Sequence, residues 1–142
     1  MKKLVLVCLC GILLTACYHT KTNPGRVGQM YFTTVFFDSN GQDIALASYK
    51  SIDEAIKVYK KNPQTKIEVR GYTDSSGNEA SNLQLSKKRA ETVAKALQLR
   101  GVPADNISAT GYGSAKPIVS NQTPEGRQQN RRVEIEFPYP EN

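Results

Sequence analysis

The hydrophobic residues from position 30 onward switch repeatedly between a two-residue spacing and a three- to four-residue spacing. A two-residue spacing places side chains on one face of a strand, whereas the longer spacing places them on one face of a helix. The order of these spacings therefore limits which layers of secondary structure can form and how they can pack.

The first strand and the first helix are predicted before position 62. Residues 31–37 (YFTTVFF) are rich in aromatic and β-branched side chains and run into the turn-forming DSNG, which is typical of a strand and a turn. A helix should follow, because apolar residues then recur at helical spacing until Asn62-Pro63 ends the run. Ser51 and Glu54 form a potential capping box, which would start the regular helix later. The apolar residues at helical spacing are Ile44, Tyr49, Ile52, Ala55, Ile56 and Tyr59.

A second strand and helix are predicted between positions 65 and 101. Residues 65–72 alternate apolar and charged side chains, as a half-buried strand does. After a polar break at 73–78, one apolar stripe predicts a helix, and Gly101 supplies its C-terminal cap. Leu85 lies off this stripe. The stripe consists of Leu83, Ala90, Val93, Ala94 and Leu97.

The last third of the chain predicts two more strands. Residues 107–112 are a short strand candidate, residues 113–130 form a long polar loop, and residues 132–137 alternate clearly. In the last strand the inward residues are Val133, Ile135 and Phe137, and the outward ones are Arg132, Glu134 and Glu136. The order βαβαββ predicts an α+β fold in which helices pack on a mixed four-stranded sheet.

The first residues have the pattern of a targeting segment rather than of the folded domain. Met1-Lys2-Lys3 is a short cationic start, and the apolar run 4–14 is too short for a comfortable membrane span. The residues Leu14-Thr15-Ala16-Cys17 resemble the lipobox, where bacterial lipoproteins are cleaved before a lipidated cysteine. The alternatives are a soluble secreted protein cut nearby and a short uncleaved anchor.

This signal divides the chain into four predicted parts: a signal peptide at 1–16, a lipidated N terminus and flexible tether at 17–29, a folded domain at 30–138 and a tail at 139–142. The tether is polar and shows no periodicity. Acyl chains on Cys17 would anchor it stably in a bilayer. Because Tyr18 is not the aspartate that retains enteric lipoproteins at the inner membrane, we expect the outer membrane, with the domain facing the periplasm.

Several kinds of chemistry are not expected of the domain. His19, the only histidine, lies in the tether, and Cys17 is the only cysteine left once Cys8 and Cys10 leave with the signal. No Ser-His-Asp or Cys-His nucleophile can then be assembled in the domain, and ordinary zinc sites lose their best ligands. We therefore expect no enzyme, no metal and no cofactor.

Two other functions have weak support in the sequence. Hydrolysis by paired carboxylates is formally available to Asp74 with Asp38 or Glu79, but acids at turns and helix starts commonly act only as caps. Nucleic acid is not an expected partner, because the RNA-binding pattern that Arg70-Gly71-Tyr72 opens lacks the aromatic residues that should follow. The formal net charge of +6, which includes Lys2-Lys3 of the signal, suits a carboxylate-bearing partner only weakly.

An acid lies in the polar break after the second strand, and an arginine lies on the helix that follows it. Asp74 follows the strand and Arg89 lies on the helix, so the two together can recognise an ammonium and a carboxylate of one zwitterion. Asn82, Ser86 and Arg89 share one helix face. Spacing alone favours simpler alternatives, in which Asp74 pairs with Arg89 or only caps the helix.

Several ordered motifs extend over about residues 31–137: VFFDS (35–39), NP (62–63), VRGYTDSSG (69–77), NLQLSKKRA (82–90), GV (101–102), ATGYG (109–113) and PIVSNQTPEGRQQNRRVEI (117–135). Together they resemble the OmpA-like domain, the C-terminal peptidoglycan-binding module shared by outer membrane protein A, the peptidoglycan-associated lipoprotein and flagellar stator proteins. The resemblance implies an OmpA-like βαβαββ sandwich and a non-catalytic binding module.

The resemblance also implies roles for individual residues. In the family an aspartate holds the ammonium of diaminopimelate, in an uncrosslinked peptidoglycan stem peptide, and a helix arginine holds its carboxylate. The matching residues here are Asp74 and Arg89. By the same resemblance, Asn82 and Arg131 would support the pocket, and Thr73 and Asp38 would lie on its rim.

One residue departs from the family motif. Tyr72 stands where the family has a histidine, and it would keep an aromatic wall and one hydrogen-bonding group. Arg127, Arg131 and Arg132 have a structural alternative, which is to bond carbonyls of the long loop. For Arg132 that alternative is favoured, because the strand pattern points it outward.

These expectations combine into one main hypothesis and one alternative. The main hypothesis is an outer-membrane lipoprotein that binds peptidoglycan non-covalently and tethers the membrane to the cell wall. The alternative is a docking module for an envelope protein, such as a Tol-like, secretion-machine or signalling partner, with wall binding secondary. Many anchored copies facing one polymer would compensate for weak single sites.

Overall fold

The computed structural model describes residues 31–38 and 41–138. Most of the expected domain lies inside these ranges. The predicted signal, the lipidated Cys17, the tether and the tail lie outside the described residues. No helix among the described residues is long and apolar enough to cross a membrane.

The four predicted strands form one mixed sheet. They are β1 (Tyr31–Phe36), β2 (Ile67–Gly71), β3 (Ile107–Gly111) and β4 (Arg132–Phe137). Their order across the sheet is β1-β4-β2-β3. β4 runs antiparallel to β1 and β2, while β2 and β3 are parallel and therefore need a crossover helix between them.

Three helices accompany the sheet: α1 (Tyr49–Lys61), α2 (Glu79–Gln98) and α3 (Pro124–Asn130). Short 3₁₀ turns occupy Leu46–Ser48 and Ala104–Asn106. α1 and α2 bury their apolar sides against the same face of the sheet, which gives two layers and confirms the α+β prediction. The shared core includes Val35, Ile52, Ile56, Ile67, Val69, Val93, Leu97, Val133 and Ile135.

The start of α1 differs from the capping-box prediction. The helix begins at Tyr49, so Ser51 and Glu54 both lie inside it and that prediction was wrong. Ser48 precedes the helix, but its hydroxyl accepts a hydrogen bond from the Phe36 N–H at 2.9 Å instead of capping the helix. Ser48 thereby ties the start of α1 to the end of β1.

The first half of α2 differs from the predicted apolar stripe. Leu83 was predicted to face inward but is 51% exposed, whereas Asn82, Ser86 and Arg89 are buried. The apolar stripe begins only at Ala90. The first half of α2 thus presents polar side chains toward the rest of the domain.

A short helix replaces part of the predicted loop 113–130. Thr123 caps α3 by accepting a hydrogen bond from the Gly126 N–H at 3.1 Å, and Pro124 occupies the first helical position. These are ordinary start signals, but seven residues are too few to show a helical period. The side chain of Asn130, at the end of α3, accepts from the N–H groups of Ile118 and Val119 and so orders the preceding loop.

Two glycines allow α2 to approach the sheet closely. A Cβ atom on Gly71 would lie 1.9 Å from the Ser86 carbonyl oxygen, and one on Gly111 would lie 2.4 Å from the Lys87 nitrogen. Both atoms belong to the main chain of α2, so a side chain at either glycine would push the helix away. The glycines therefore set the position of the helical turn that carries Arg89.

We predict that Gly71→Ala lowers the free energy of unfolding by about 1–3 kcal/mol or more, because the added methyl group meets main chain rather than a movable side chain. Denaturant unfolding measures the change. Gly41→Ala is the matched control, since its nearest contacts begin at 3.8 Å, and it should shift stability by less than about 0.5 kcal/mol. Equal losses in both variants would contradict the close packing of α2.

Candidate functional site

Asp74 lies in the loop after β2 and is 8% exposed. One carboxylate oxygen accepts from the Ser76 N–H at 2.7 Å, and the other accepts from Arg131 Nη1 at 2.9 Å. Burial alone would raise the pKa of Asp74, but the hydrogen bonds from Arg131 and Ser76 outweigh it and hold the pKa below the ordinary 3.8. Asp74 is therefore a stable carboxylate at neutral pH.

Asn82 holds the loop that carries Asp74. Its side-chain amide donates to the carbonyls of Ser76 at 2.9 Å and of Asp74 at 3.4 Å. Asn78 caps α2 by accepting from the Ser81 N–H, and this fixes the other end of the loop. The structure thus places Asn82 as a support for the loop rather than as a direct part of a charged site.

Arg89 carries the most deeply buried charge of the site. Its side chain is 0% exposed, with Nε donating to the Gly41 carbonyl at 2.9 Å and Nη2 donating to the Asp38 carbonyl at 3.0 Å. The guanidinium also lies 5.2 Å from the centre of the Phe37 ring. Its Nη1 has no hydrogen-bond partner among residues 31–38 and 41–138. A buried donor of this kind is suited to an anionic acceptor.

Burial and two neighbouring charges determine the pKa of Arg89. Burial lowers the pKa of Arg89 to about 10, the positive charge of Arg131 lowers it too, and the negative charge of Asp74 opposes both. Arg89 stays protonated at neutral pH. Two guanidinium groups and one carboxylate therefore influence each other, which leaves the group with one surplus positive charge.

Arg131, rather than Arg89, is the direct partner of Asp74. The Arg131 side chain is 11% exposed and also donates to the Gln128 carboxamide oxygen. Its Nε lacks a hydrogen-bond partner within the part of the chain that the structure describes. Asp74 and Arg89 do not pair with each other, and the simple pairing alternative is thereby wrong.

Thr73 and Asp38, which were predicted on the rim of the pocket, make mainly backbone contacts. Thr73 is 4% exposed, its N–H donates to the Gly113 carbonyl at 2.9 Å, and its hydroxyl has no hydrogen-bond partner in the described ranges. Asp38 offers Arg89 its main-chain carbonyl, while the residue itself is exposed. Asp38 therefore acts through its backbone, not through its acid.

Tyr72 lies with a different set of residues from the charged group. Its ring stacks on Tyr112, with centroids 5.4 Å apart, and Arg132 lies 4.1 Å above it. Burial, followed by the nearby Glu134 carboxylate, raises the pKa of Tyr72 to about 12. None of these contacts belongs to Asp74, Arg89 or Arg131. The prediction that Tyr72 supplies a wall of the pocket receives no support from these contacts.

Two residues of the site were not anticipated from the sequence. Gln128 donates to the Phe37 carbonyl at 3.1 Å while it accepts from Arg131, so it joins α3 to the end of β1. Phe37 lies beneath Arg89. The i, i+3 spacing of Gln128 and Arg131 would have indicated their contact only if α3 had been recognised. Arg127 donates to carbonyls of the long loop, as its structural alternative proposed.

Comparison with known proteins agrees with this architecture. The model of the OmpA family matches residues 36–131. The probable lipoprotein YiaD of Escherichia coli K12 is 46% identical over 101 residues, which cover 71% of this chain and 46% of that protein. The peptidoglycan-binding protein ArfA of Mycobacterium tuberculosis is 43% identical over 101 residues, which cover 71% of this chain and 31% of that protein.

A solved structure shows the same fold. The peptidoglycan-associated lipoprotein from Burkholderia pseudomallei superposes with a TM-score of 0.70 at 30% identity, covering 74% of this chain and 89% of that one. The chain spans less than half the length of the two curated relatives it matches. Because the family model extends over most of the described domain and the fold agrees, the chain belongs to the OmpA family.

Proposed function

We propose that this chain is an outer-membrane lipoprotein whose domain binds peptidoglycan non-covalently, through the diaminopimelate of the stem peptide. The observation that carries the proposal is the buried guanidinium of Arg89, near the carboxylate of Asp74: among residues 31–38 and 41–138 its hydrogen-bond partners are two main-chain carbonyls and its Nη1 has none. The relative ArfA is named a peptidoglycan-binding protein, which supports peptidoglycan as the ligand. YiaD and the Burkholderia structure are named lipoproteins, which supports the lipid anchor.

The charges of Asp74 and Arg89 match the ammonium and the carboxylate of one amino-acid group. Each carboxylate oxygen of Asp74 accepts one hydrogen bond in the structure, so both retain a lone pair for an ammonium. Nη1 of Arg89, which is buried without a hydrogen-bond partner among the described residues, would donate to the neighbouring carboxylate of the ligand. Diaminopimelate presents an ammonium and a carboxylate on the same side-chain carbon, which matches this pair of groups.

A single site of this kind should bind weakly. Charge-assisted hydrogen bonds contribute roughly 1.5–3 kcal/mol each, and the loss of translational and rotational freedom opposes them. Many lipid-anchored copies that face one continuous polymer would add avidity. Weak single contacts in large number are suitable for a tether that must tolerate growth of the wall.

The proposed role is non-catalytic. Hydrolysis by paired carboxylates needs one carboxylic acid that holds a proton near neutral pH. Asp74 is bound to Arg131 with a lowered pKa, so it is a poor acid, and the exposed Asp38 offers its backbone to the site. The lowered pKa of Asp74 and its bond to Arg131 support recognition rather than acid catalysis.

We predict that Asp74→Asn and Arg89→Lys each reduce retention of the purified protein on insoluble peptidoglycan by about ten-fold or more. Asp74→Asn removes the negative acceptor, and Arg89→Lys keeps the charge but removes the fork of guanidinium donors. Co-sedimentation measures retention. Arg100→Lys is the matched arginine control, since Arg100 pairs with Asp53 away from the site, and it should sediment like the unaltered protein.

Three results would contradict this part of the proposal. Retention of both site variants at the level of the unaltered protein would remove the pocket assignment. Release of soluble muropeptides into the supernatant would indicate that the protein hydrolyses peptidoglycan rather than only binding it. Failure of the unaltered protein to sediment at all would favour the protein-docking alternative.

We predict that Cys17→Ser moves the protein from the membrane fraction to the soluble periplasmic fraction and abolishes labelling by a palmitate analogue, because the acyl chains have no other attachment site in the mature chain. Cys10→Ser, within the predicted signal, is the matched control and should retain both label and location. Labelling that survives Cys17→Ser would contradict the anchor.

A further inference from the structure

Four side chains form a continuous stack on the face of the sheet away from α1 and α2. Lys116 Nζ lies 4.8 Å from the centre of the Tyr112 ring, and that ring stacks on Tyr72 with an interplanar angle of 16°. The Arg132 guanidinium lies 4.1 Å from the centre of the Tyr72 ring. A cation over an aromatic ring is attracted by the ring electrons, so each ring of the pair has a cation as a partner.

Hydrogen bonds close this stack into a ring of contacts. Arg132 Nη2 donates to the Lys116 carbonyl at 3.2 Å, and Nε donates to Glu134 at 2.9 Å. The N–H of Tyr72 donates to the Arg132 carbonyl at 2.9 Å. Arg132 is only 3% exposed and Tyr72 only 3%, although both point away from the helical layer. The hydrogen bond from Arg132 to the Lys116 carbonyl agrees with the structural alternative, in which Arg132 bonds a carbonyl of the long loop.

The stack joins the two segments that carry the Asp74–Arg131 ion pair. Tyr72 lies two residues before Asp74, and Arg132 directly follows Arg131. The next N–H after Tyr72, that of Thr73, donates to the Gly113 carbonyl at 2.9 Å, so the loop between Tyr112 and Lys116 is held as well. A change in the distance between Tyr72 and Arg132 would therefore change the distance between Asp74 and Arg131.

We infer that Tyr72 and Arg132 are positioning residues, which clamp the two segments from the back of the sheet and so hold Asp74 and Arg131 at binding distance. Tyr72 then acts on the ligand through Asp74 and does not touch it. The inference rests on the proposed function for its effect on wall binding. Its effect on Asp74 itself needs no ligand and can be measured separately.

The test compares Tyr72→Ala with Tyr59→Ala in the full chain. Tyr59 is a buried tyrosine of α1, 6% exposed, whose hydroxyl donates to the Pro63 carbonyl and which has no contact with the stack. Both variants should lose thermal stability. Carbon-13 NMR titration of the Asp74 carboxylate, without peptidoglycan, reports whether the ion pair with Arg131 persists.

In Tyr72→Ala the pKa of Asp74 should rise toward 3.8, and retention on peptidoglycan should fall about ten-fold. Tyr59→Ala should keep both properties. Tyr72→Phe keeps the ring and should keep the low pKa of Asp74 and most of the retention on peptidoglycan. Arg132→Gln removes the cation and should raise the pKa of Asp74 and lower retention in the same way, so it serves as the test if Tyr72→Ala does not fold.

An unchanged Asp74 pKa in both Tyr72→Ala and Arg132→Gln would overturn the clamp, because the stack would then stabilise the domain without positioning the site. A second outcome is that the pKa of Asp74 rises in the variants but the unaltered protein does not bind peptidoglycan. That outcome would support the clamp and contradict the proposed function. Equal changes in Tyr59→Ala would show a general effect of destabilisation and would also overturn the inference.

Discussion

The guanidinium of Arg89 is a full positive charge at a position with no exposure to solvent. Removing such a group from water costs several kcal/mol unless other groups replace its hydration. Two main-chain carbonyls, the Phe37 ring and the nearby charge of Asp74 supply part of that replacement. Nη1 has no partner within residues 31–38 and 41–138, and a ligand carboxylate would supply one under the proposed function.

Several parts of the fold are arranged around that charge. Gly71 and Gly111 let α2 lie against the ends of β2 and β3, which fixes the turn that carries Arg89. The segment between β1 and α1 supplies the carbonyls, and Gln128 of α3 binds both this segment and Arg131. The sheet and helices thus provide a rigid frame, while loops supply most of the polar groups.

Much of the fold and part of the site could be predicted from the sequence. The four strands and two long helices follow from hydrophobic spacing, and the resemblance to the family identified Asp74, Arg89, Asn82 and Arg131. Spacing could not show that Asp74 pairs with Arg131, because 57 residues separate them and only the packing of α3 and β4 brings them together.

The positions of two other side chains also depend on packing that spacing does not show. Leu83 was placed inward because apolar residues usually face the core, but at that level of α2 the inward positions hold Asn82 and Ser86. Tyr72 occupies a motif position beside the site, yet alternation along β2 sends its ring to the other face, where it stacks on Tyr112.

The most direct measurement of the account is calorimetric titration of the protein with two soluble stem peptides that differ only at the third residue, diaminopimelate or lysine. Lysine keeps the ammonium and lacks the carboxylate assigned to Arg89, so we predict about ten-fold or weaker binding of the lysine peptide. Equal affinity for the two peptides would contradict the role of Arg89.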